Sequence, residues 1–354
     1  MFGAKEKDMV PRYISCSLSL AVVAPGFAQT PVVDGSLDAS YGAAVSIQNT
    51  TTGFGDSNLG LPDAANGSEL DNCHAVIADG VLYLFFGGNL ETNWNKFELF
   101  IDGAIGGQNQ LRGDNADVDF NGLNRMGGTG VGDGLLFDAC FSANLYLTLT
   151  AGGTPVAIHA NIAQVLTEGG GTGVYLGSGA PGAVPIVNAE TGVSVALNNS
   201  NVAGVGGEGG SSDGAGVATG IEVAIPLVLL GYDAATQSNI KVMAAINGWG
   251  HGWFSNQLIG PVGGMGNFGE PRTLSLEGIA GNQYAVVVVD SSEPDCPVDP
   301  PACPADLNAD TMVDGLDMTA LLSCWGSTCG DVDGDGIAGG LDMTAILAAW
   351  GPCP

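Results

Sequence analysis

Near its C-terminus the chain reads DVDGDGIAGGLDMTAILAAWG over residues 331–351, with carboxylates at Asp331, Asp333, Asp335 and Asp342. Residues 306–326, DLNADTMVDGLDMTALLSCWG, say nearly the same thing, with Asp306, Asn308, Asp310, Asp314 and Asp317 in register. Oxygens at positions 1, 3, 5, 9 and 12 of such a loop, with a backbone carbonyl at position 7, enclose a hard cation that takes roughly six to eight oxygen ligands. The position 7 carbonyls belong to Met312 and Ile337, and water supplies position 9 where the second copy has Gly339. The spacing therefore predicts two calcium ions. Residues 303–354 hold eight acids and no Lys or Arg, so without a cation the carboxylates repel one another. The first loop has the less favourable Thr311 at its sharp turn, where the second has Gly336.

Something must hold those loops in place. After each one, Met318, Leu321, Leu322 and Trp325, then Met343, Ile346, Leu347 and Trp350, recur at helical spacing and predict one apolar face of a short helix. A single such helix cannot cover its own face, and two copies packing together account for the duplication.

The arrangement resembles the type I dockerin module, a duplicated relative of the EF-hand, over residues 306–351. That resemblance implies calcium-dependent docking to a cohesin-type partner, usually in assemblies that degrade polysaccharide. The positions that read cohesin in that family are here Gly315–Leu316 and Gly340–Leu341 rather than the hydroxyl residues common there.

Between residues 29 and 290 short β-like runs recur between Gly, Asn and Asp clusters: HAVIA, VLYLFF, KFELFID, ANLYLTL, VAIHANI, VSVAL, IEVAIPL, IKVMAAI and YAVVVVD. This is the rhythm of a β-sandwich. The expected fold is mainly β, a sandwich followed by a small α-helical calcium module. The boundaries are 29–290 for the sandwich, 291–302 for a proline-rich linker and 303–354 for the module. The glycine-rich stretch 204–216 reads as a mobile loop.

Three stretches of the large domain, VVDGSLDASYG, ADGVLYLFFGGNL with KFELFIDG, and IEVAIPLVLLG, resemble family 9 carbohydrate-binding modules. The resemblance implies sugar held on aromatic faces. Candidate ligand-binding residues are Trp94, Trp249 and Trp253, whose rings stack on the apolar face of a pyranose, with His251 between the last two. Glu98 and Glu222 are the carboxylates that would serve a glycosidase, which needs two of them roughly 5–10 Å apart. Asp117 and Asp119 stand two apart and read as a solvated acidic loop or a further calcium site. Arg112-Gly113-Asp114 and the glycine patterns around 204–214 lack the strand and helix context that gives such motifs their chemistry.

Composition narrows the partners. Acids outnumber bases 37 to 8, and the net charge is −29, which leaves no basic patch for a nucleic-acid backbone or an anionic membrane. Residues 1–28 have a charged start, an apolar run and small residues at Gly26 and Ala28, the pattern of an export signal; Met9 is an alternative start. No other run approaches the roughly 18 apolar residues of a membrane helix. Eight cysteines suit an oxidising, extracellular setting. Cys16 leaves with the signal, and the pairs expected are Cys73–Cys140, Cys324–Cys329 and Cys303–Cys353, with Cys296 left over. The reading is a secreted, non-catalytic calcium-binding protein that docks or adheres to polysaccharide or to a cohesin-type partner. Its rivals are a glycoside hydrolase and a structural envelope or matrix protein.

Overall fold

A computed structural model describes residues 30–130, 132–206, 213–233, 239–289 and 312–327, the single positions 305, 307, 330 and 332, and residues 337–352. The chain is mainly β. The expected export signal and linker, and the expected calcium ligands Asp306, Asn308, Asp310, Asp331, Asp333 and Asp335, lie outside the described residues.

The strands are β1 Ser46–Ile47, β2 Glu69–Ala78, β3 Val81–Asn89, β4 Lys96–Asp102, β5 Leu145–Gly152, β6 Ala157–Gln164 and β7 Gly173–Gly179. They continue with β8 Gly182–Val187, β9 Ser194–Leu197, β10 Gly220–Pro226, β11 Ile240–Asn247, β12 Phe254–Ile259 and β13 Ala285–Val287. All nine runs expected from the sequence are strands. Four strands escaped, because β1 has two residues, β7 is interrupted by glycine, β8 by Pro185, and β12 is polar in FSNQLI.

Two antiparallel sheets result, one ordered β1-β2-β3-β10-β9-β8 and the other β12-β11-β4-β5-β6-β7, with β13 pairing β11. Period-2 alternation turns Leu82, Leu84 and Phe86 of one sheet and Phe97, Leu99 and Ile101 of the other into a shared core. The second sheet is buried on its outer face as well. Chain from Leu111 to Phe141, with the short helix α1 (Gly122–Met126), and chain from Val262 to Tyr284 pack on Phe100, Tyr146 and Met243 there. Double coverage is why β5, LYLTLTAG, is buried at every position. On the outer face of the first sheet Tyr41 packs against Phe85, and Glu222 accepts from the Tyr41 hydroxyl at 2.7 Å and from the N–H groups of Asp34 and Gly35.

The glycine-rich stretch departs from expectation where it is described. Val205 is fully buried and donates its N–H to Asp71, and Gly214 lies against the Asp71 backbone, so both ends of the stretch are pinned to β2. Residues 207–212 lie outside the described residues.

After the helix α2 (Leu227–Leu230), the remaining described elements are at the C-terminus: β14 Met312–Val313, α3 Gly315–Ser323, α4 Gly340–Ala348 and β15 Gly351–Pro352. They share a small core of Ala305, Val313, Leu321, Ala338 and Ile346. The expected apolar helical face is only half covered. Leu321 and Ile346 are buried, whereas Leu322, Trp325, Leu347 and Trp350 are each more than half exposed. The faces of α3 and α4 are too small for both helices to bury a full stripe against each other. No helix among the described residues is long and apolar enough to cross a membrane.

The expected Cys73–Cys140 bridge does not exist. Cys73 is a free thiol, fully buried in the shared core, and burial holds its pKa well above the usual range. Cys140, in a loop with φ 65°, and Cys324 are disulfide-bonded. Cys296, Cys303, Cys329 and Cys353 lie outside the described residues. Alkylation of the oxidised native chain should leave Cys73 unmodified, and unfolding without reductant should expose it as the labelled thiol. Mass spectrometry of the two samples checks this; labelling of Cys140 or Cys324 would contradict it.

Candidate functional site

Three of the aromatic residues singled out by the sequence surround the turn between β11 and β12 and the entry to β4. The turn Gly248–Trp253 is closed by Gly248 N–H to Trp253 O at 3.0 Å and by Trp253 N–H to Asn247 Oδ1 at 2.9 Å. It projects Trp249, 75% exposed, into a cleft of about 1030 Å³. Trp94 faces the same cleft. Its backbone N–H donates to Ala151 O, and its ring rests on Gly152, where an added Cβ would come within 2.5 Å of the indole. His159 follows at 5.9 Å between ring centroids, and its Nδ1 lies 2.9 Å from the Tyr175 hydroxyl. Phe120, fully exposed, completes the aromatic rim. Trp253 is also exposed, but its ring lies over Gly269 and outside the cleft lining, so it leaves the site the sequence proposed.

His251 does not offer its ring to a ligand. It is 4% exposed, beneath the cleft, with Nδ1 2.8 Å from Glu98 Oε1 and Nε2 3.0 Å from Asp119 Oδ2. The second contact is an ion pair without hydrogen-bond alignment. The cluster extends on both sides. Tyr146 donates to Glu98 at 2.6 Å, Asn247 donates to Glu98 at 3.1 Å, and Lys96 Nζ meets Asp119 at 2.8 Å. Burial opposes a charged imidazole, but the flanking carboxylates of Glu98 and Asp119 outweigh it and push His251 up to about 9. Burial likewise acts to raise Asp119, and its contacts with His251 and Lys96 override it and hold that carboxyl below the usual range. The imidazolium fits only because residue 122 is glycine; a Cβ there would lie 2.2 Å from Nε2.

Around this cluster the backbone is forced. Among the described residues seven other than glycine have positive φ, and five of them line the cleft: Trp94, Asp119, Phe120, Asn121 and His251. Each such conformation costs about 1–3 kcal/mol and persists only where surrounding contacts over-determine it. Here the buried ion pairs do so. Charge is concentrated too: of the five Lys and Arg beyond residue 28, Lys96, Arg125 and Arg272 line the cleft. Arg125 grips Glu270 with two contacts of 2.6 Å. The sequence reading missed Phe120, Tyr175 and these cations because the residues that converge here are far apart along the chain.

The carboxylates proposed for glycoside hydrolysis fall apart on geometry. Glu98 faces outward from the second sheet and Glu222 outward from the first, so both sheets and the shared core, spaced by roughly 10 Å, separate them. Between Glu98 and Asp119 the space is filled by the His251 ring. Asp119 is tied to cations in the protein, which removes the alternative of a calcium at Asp117 and Asp119. Arg112 folds back onto Asp114 through two hydrogen bonds, leaving no free Arg-Gly-Asp.

In the C-terminal repeat the two position 12 acids adopt one arrangement twice. Asp317 accepts from Leu307 N–H at 2.7 Å and Asp314 N–H at 2.8 Å; Asp342 accepts from Val332 N–H at 2.7 Å and Gly339 N–H at 2.6 Å. Both are fully buried in a segment without Lys or Arg. Buried carboxylates turned inward onto backbone N–H groups suit the closing ligand of a calcium loop. Met312 is the first residue of β14, and Ile337 precedes α4. No three His, Cys, Asp or Glu side chains converge as a metal group among the described residues, which omit the first three expected ligands of each loop.

No family model, curated protein or solved structure matches this chain.

Proposed function

We propose that the chain is a secreted, non-catalytic adhesion protein. Its β-sandwich binds polysaccharide in the aromatic cleft, and its C-terminal repeat binds two calcium ions and docks to a cohesin-type partner. The observation that carries the reading is the rim of Trp94, Phe120, Tyr175 and Trp249 around one cleft, over a floor fixed by ion pairs. Exposed rings on rigid backbone suit the apolar faces of sugars, while Asn121, Asn124 and the arginines offer polar contacts to hydroxyls. Supporting the docking half, Leu316, Leu322, Trp325, Leu341, Leu347 and Trp350 stand exposed in duplicate on a small module, and exposed apolar groups in that density mark an interaction surface.

Trp249→Ala should weaken retention on an insoluble polysaccharide about tenfold, or ~1.4 kcal/mol, with little change in melting temperature, since the ring buries almost nothing. Trp253→Ala, off the cleft, should bind as the native chain does. Affinity electrophoresis over a polysaccharide panel, with thermal melts alongside, is the test. Equal losses from both variants, or none from Trp249→Ala, would remove the cleft from the reading.

A further inference from the structure

The first sheet holds a second polar site, unrelated to the cleft. Glu69 opens β2, and Asp71 is the residue left over by the bulge between Leu70 and Asn72; both are fully buried. Among the described residues no Lys, Arg or His forms an ion pair with either. Burial raises both carboxyls, and the nearby Asp56 raises them further.

The donors do not match the acceptors. Asn201 Nδ2 lies 2.6 Å from Ala203 O, 2.8 Å from Glu69 Oε1, 3.1 Å from Asp71 Oδ2 and 3.4 Å from Asn89 Oδ1. An amide nitrogen has two hydrogens, so four oxygens converge on a group that can satisfy two of them. Val205 N–H serves Asp71 Oδ1 at 2.7 Å, yet Glu69 Oε2 is buried with no hydrogen-bond partner among the described residues. Gly204, at φ 106°, closes over the site so tightly that a Cβ would overlap Asp71 Oδ1. A buried carboxylate oxygen left unpaired is expensive, and here it stands among a surplus of oxygens.

We propose that Glu69 and Asp71 are the anionic ligands of a calcium ion within the β-sandwich, with oxygens of Asn89 and Ala203 beside them. Apart from the Asn201 amide nitrogen on which they converge, the groups at the site present oxygen, two of them are anionic, and neither thiolate nor imidazole contributes, which selects a hard cation. Such an ion would tie the start of β2 to the chain that follows β9, and so fix the ends of the glycine-rich stretch.

Calorimetric titration of the full chain with calcium should find three ions. The chain carrying Asp317→Ala and Asp342→Ala, in which the C-terminal loops have lost their closing ligands, should retain one. Adding Glu69→Gln and Asp71→Asn should remove it. In that Asp317→Ala, Asp342→Ala background calcium should raise the sandwich melting temperature by several degrees, and the further pair should abolish the rise without lowering the melt in chelator, because it removes two uncompensated charges. Failure of the C-terminal loops alone would lower the native stoichiometry by two and leave the calcium-dependent melt in place. No ion retained in the Asp317→Ala, Asp342→Ala chain, or a calcium response that survives Glu69→Gln and Asp71→Asn, would overturn the proposal and leave a carboxyl pair sharing a proton.

Discussion

Replacing His251 with alanine is expected to lower the stability of the β-sandwich by about 3–5 kcal/mol, as removal of one partner strands buried charges of opposite sign. Glu98 is fully buried and Asp119 nearly so, and each turns a carboxylate oxygen to the imidazole. Alanine would leave Asp119 with Lys96 alone and Glu98 with only neutral donors. The effect should depend on pH in a defined direction. Because the folded pKa of His251 is raised from 6.5 to about 9, its contribution, about 3 kcal/mol, is fully present below pH 6.5 and is lost as pH rises through 9. On the acid side Asp119, depressed in the folded state, contributes above its unfolded pKa and ceases to do so as pH falls through the lower folded value. Other buried carboxyls titrate with opposite sign, so the informative quantity is the difference between native chain and His251→Gln in urea unfolding. That difference should shrink towards zero between pH 6.5 and 9. A gap that is constant with pH would mean the imidazole is neutral in the folded protein.

Chelating calcium is expected to abolish the helical signal of α3 and α4 while the β signal of the sandwich persists at room temperature. Among its described residues the repeat has a core of five buried apolar side chains, set against eight acids in its sequence, too little apolar surface to offset that repulsion, so metal binding energy becomes folding energy. Asp317→Asn and Asp342→Asn keep the size of each closing side chain but remove its charge. Each should weaken one calcium site about tenfold or more. The corresponding alanine variants should each lose an ion outright and loosen the partner helix, since Leu321 and Ile346 belong to one cluster. Calorimetric titration with circular dichroism and tryptophan fluorescence on the full chain reads all three effects. Helicity indifferent to calcium would sink the loop assignment.

The strands were legible because residues with period 2 have only one way to bury a face, and KFELFID forms a strand with the same bounds in sequence and structure. Period gave no warning that the second sheet is covered on both sides, because a loop such as DNADVDFNG carries its packing information in turn geometry. Asp119, Phe120 and Asn121 all adopt left-handed backbone, and no hydrophobic count reports that. Gly248 and Gly250 flank Trp249, and its ring is exposed. His251 sat in the same short motif and was misjudged, since its partners Glu98 and Asp119 are supplied by strands and loops far off in sequence. The cysteine pairing failed for a related reason: Cys73 lies at a core position of β2, a direction set by strand register rather than by spacing between cysteines.

The strand order also sets when the protein can fold. β3 ends at Asn89, yet its neighbour β10 begins at Gly220; β4 ends at Asp102, yet its neighbour β11 begins at Ile240. A chain emerging from its N-terminus therefore carries β2 through β7 with open central edges until β10 and β11, which begin at Gly220 and Ile240 in the second half of the chain, have been made. Pairing across such separations is slow, because loop closure must precede any reward from contact. Growth arrest or proteolysis before Asn247 would leave two half-sheets with apolar faces and unpaired edges, a species prone to aggregate. The nascent chain must be kept unfolded or shielded over that interval, and loss of a holdase during synthesis should reduce the soluble yield of this protein more than that of a chain built from sequence-adjacent hairpins.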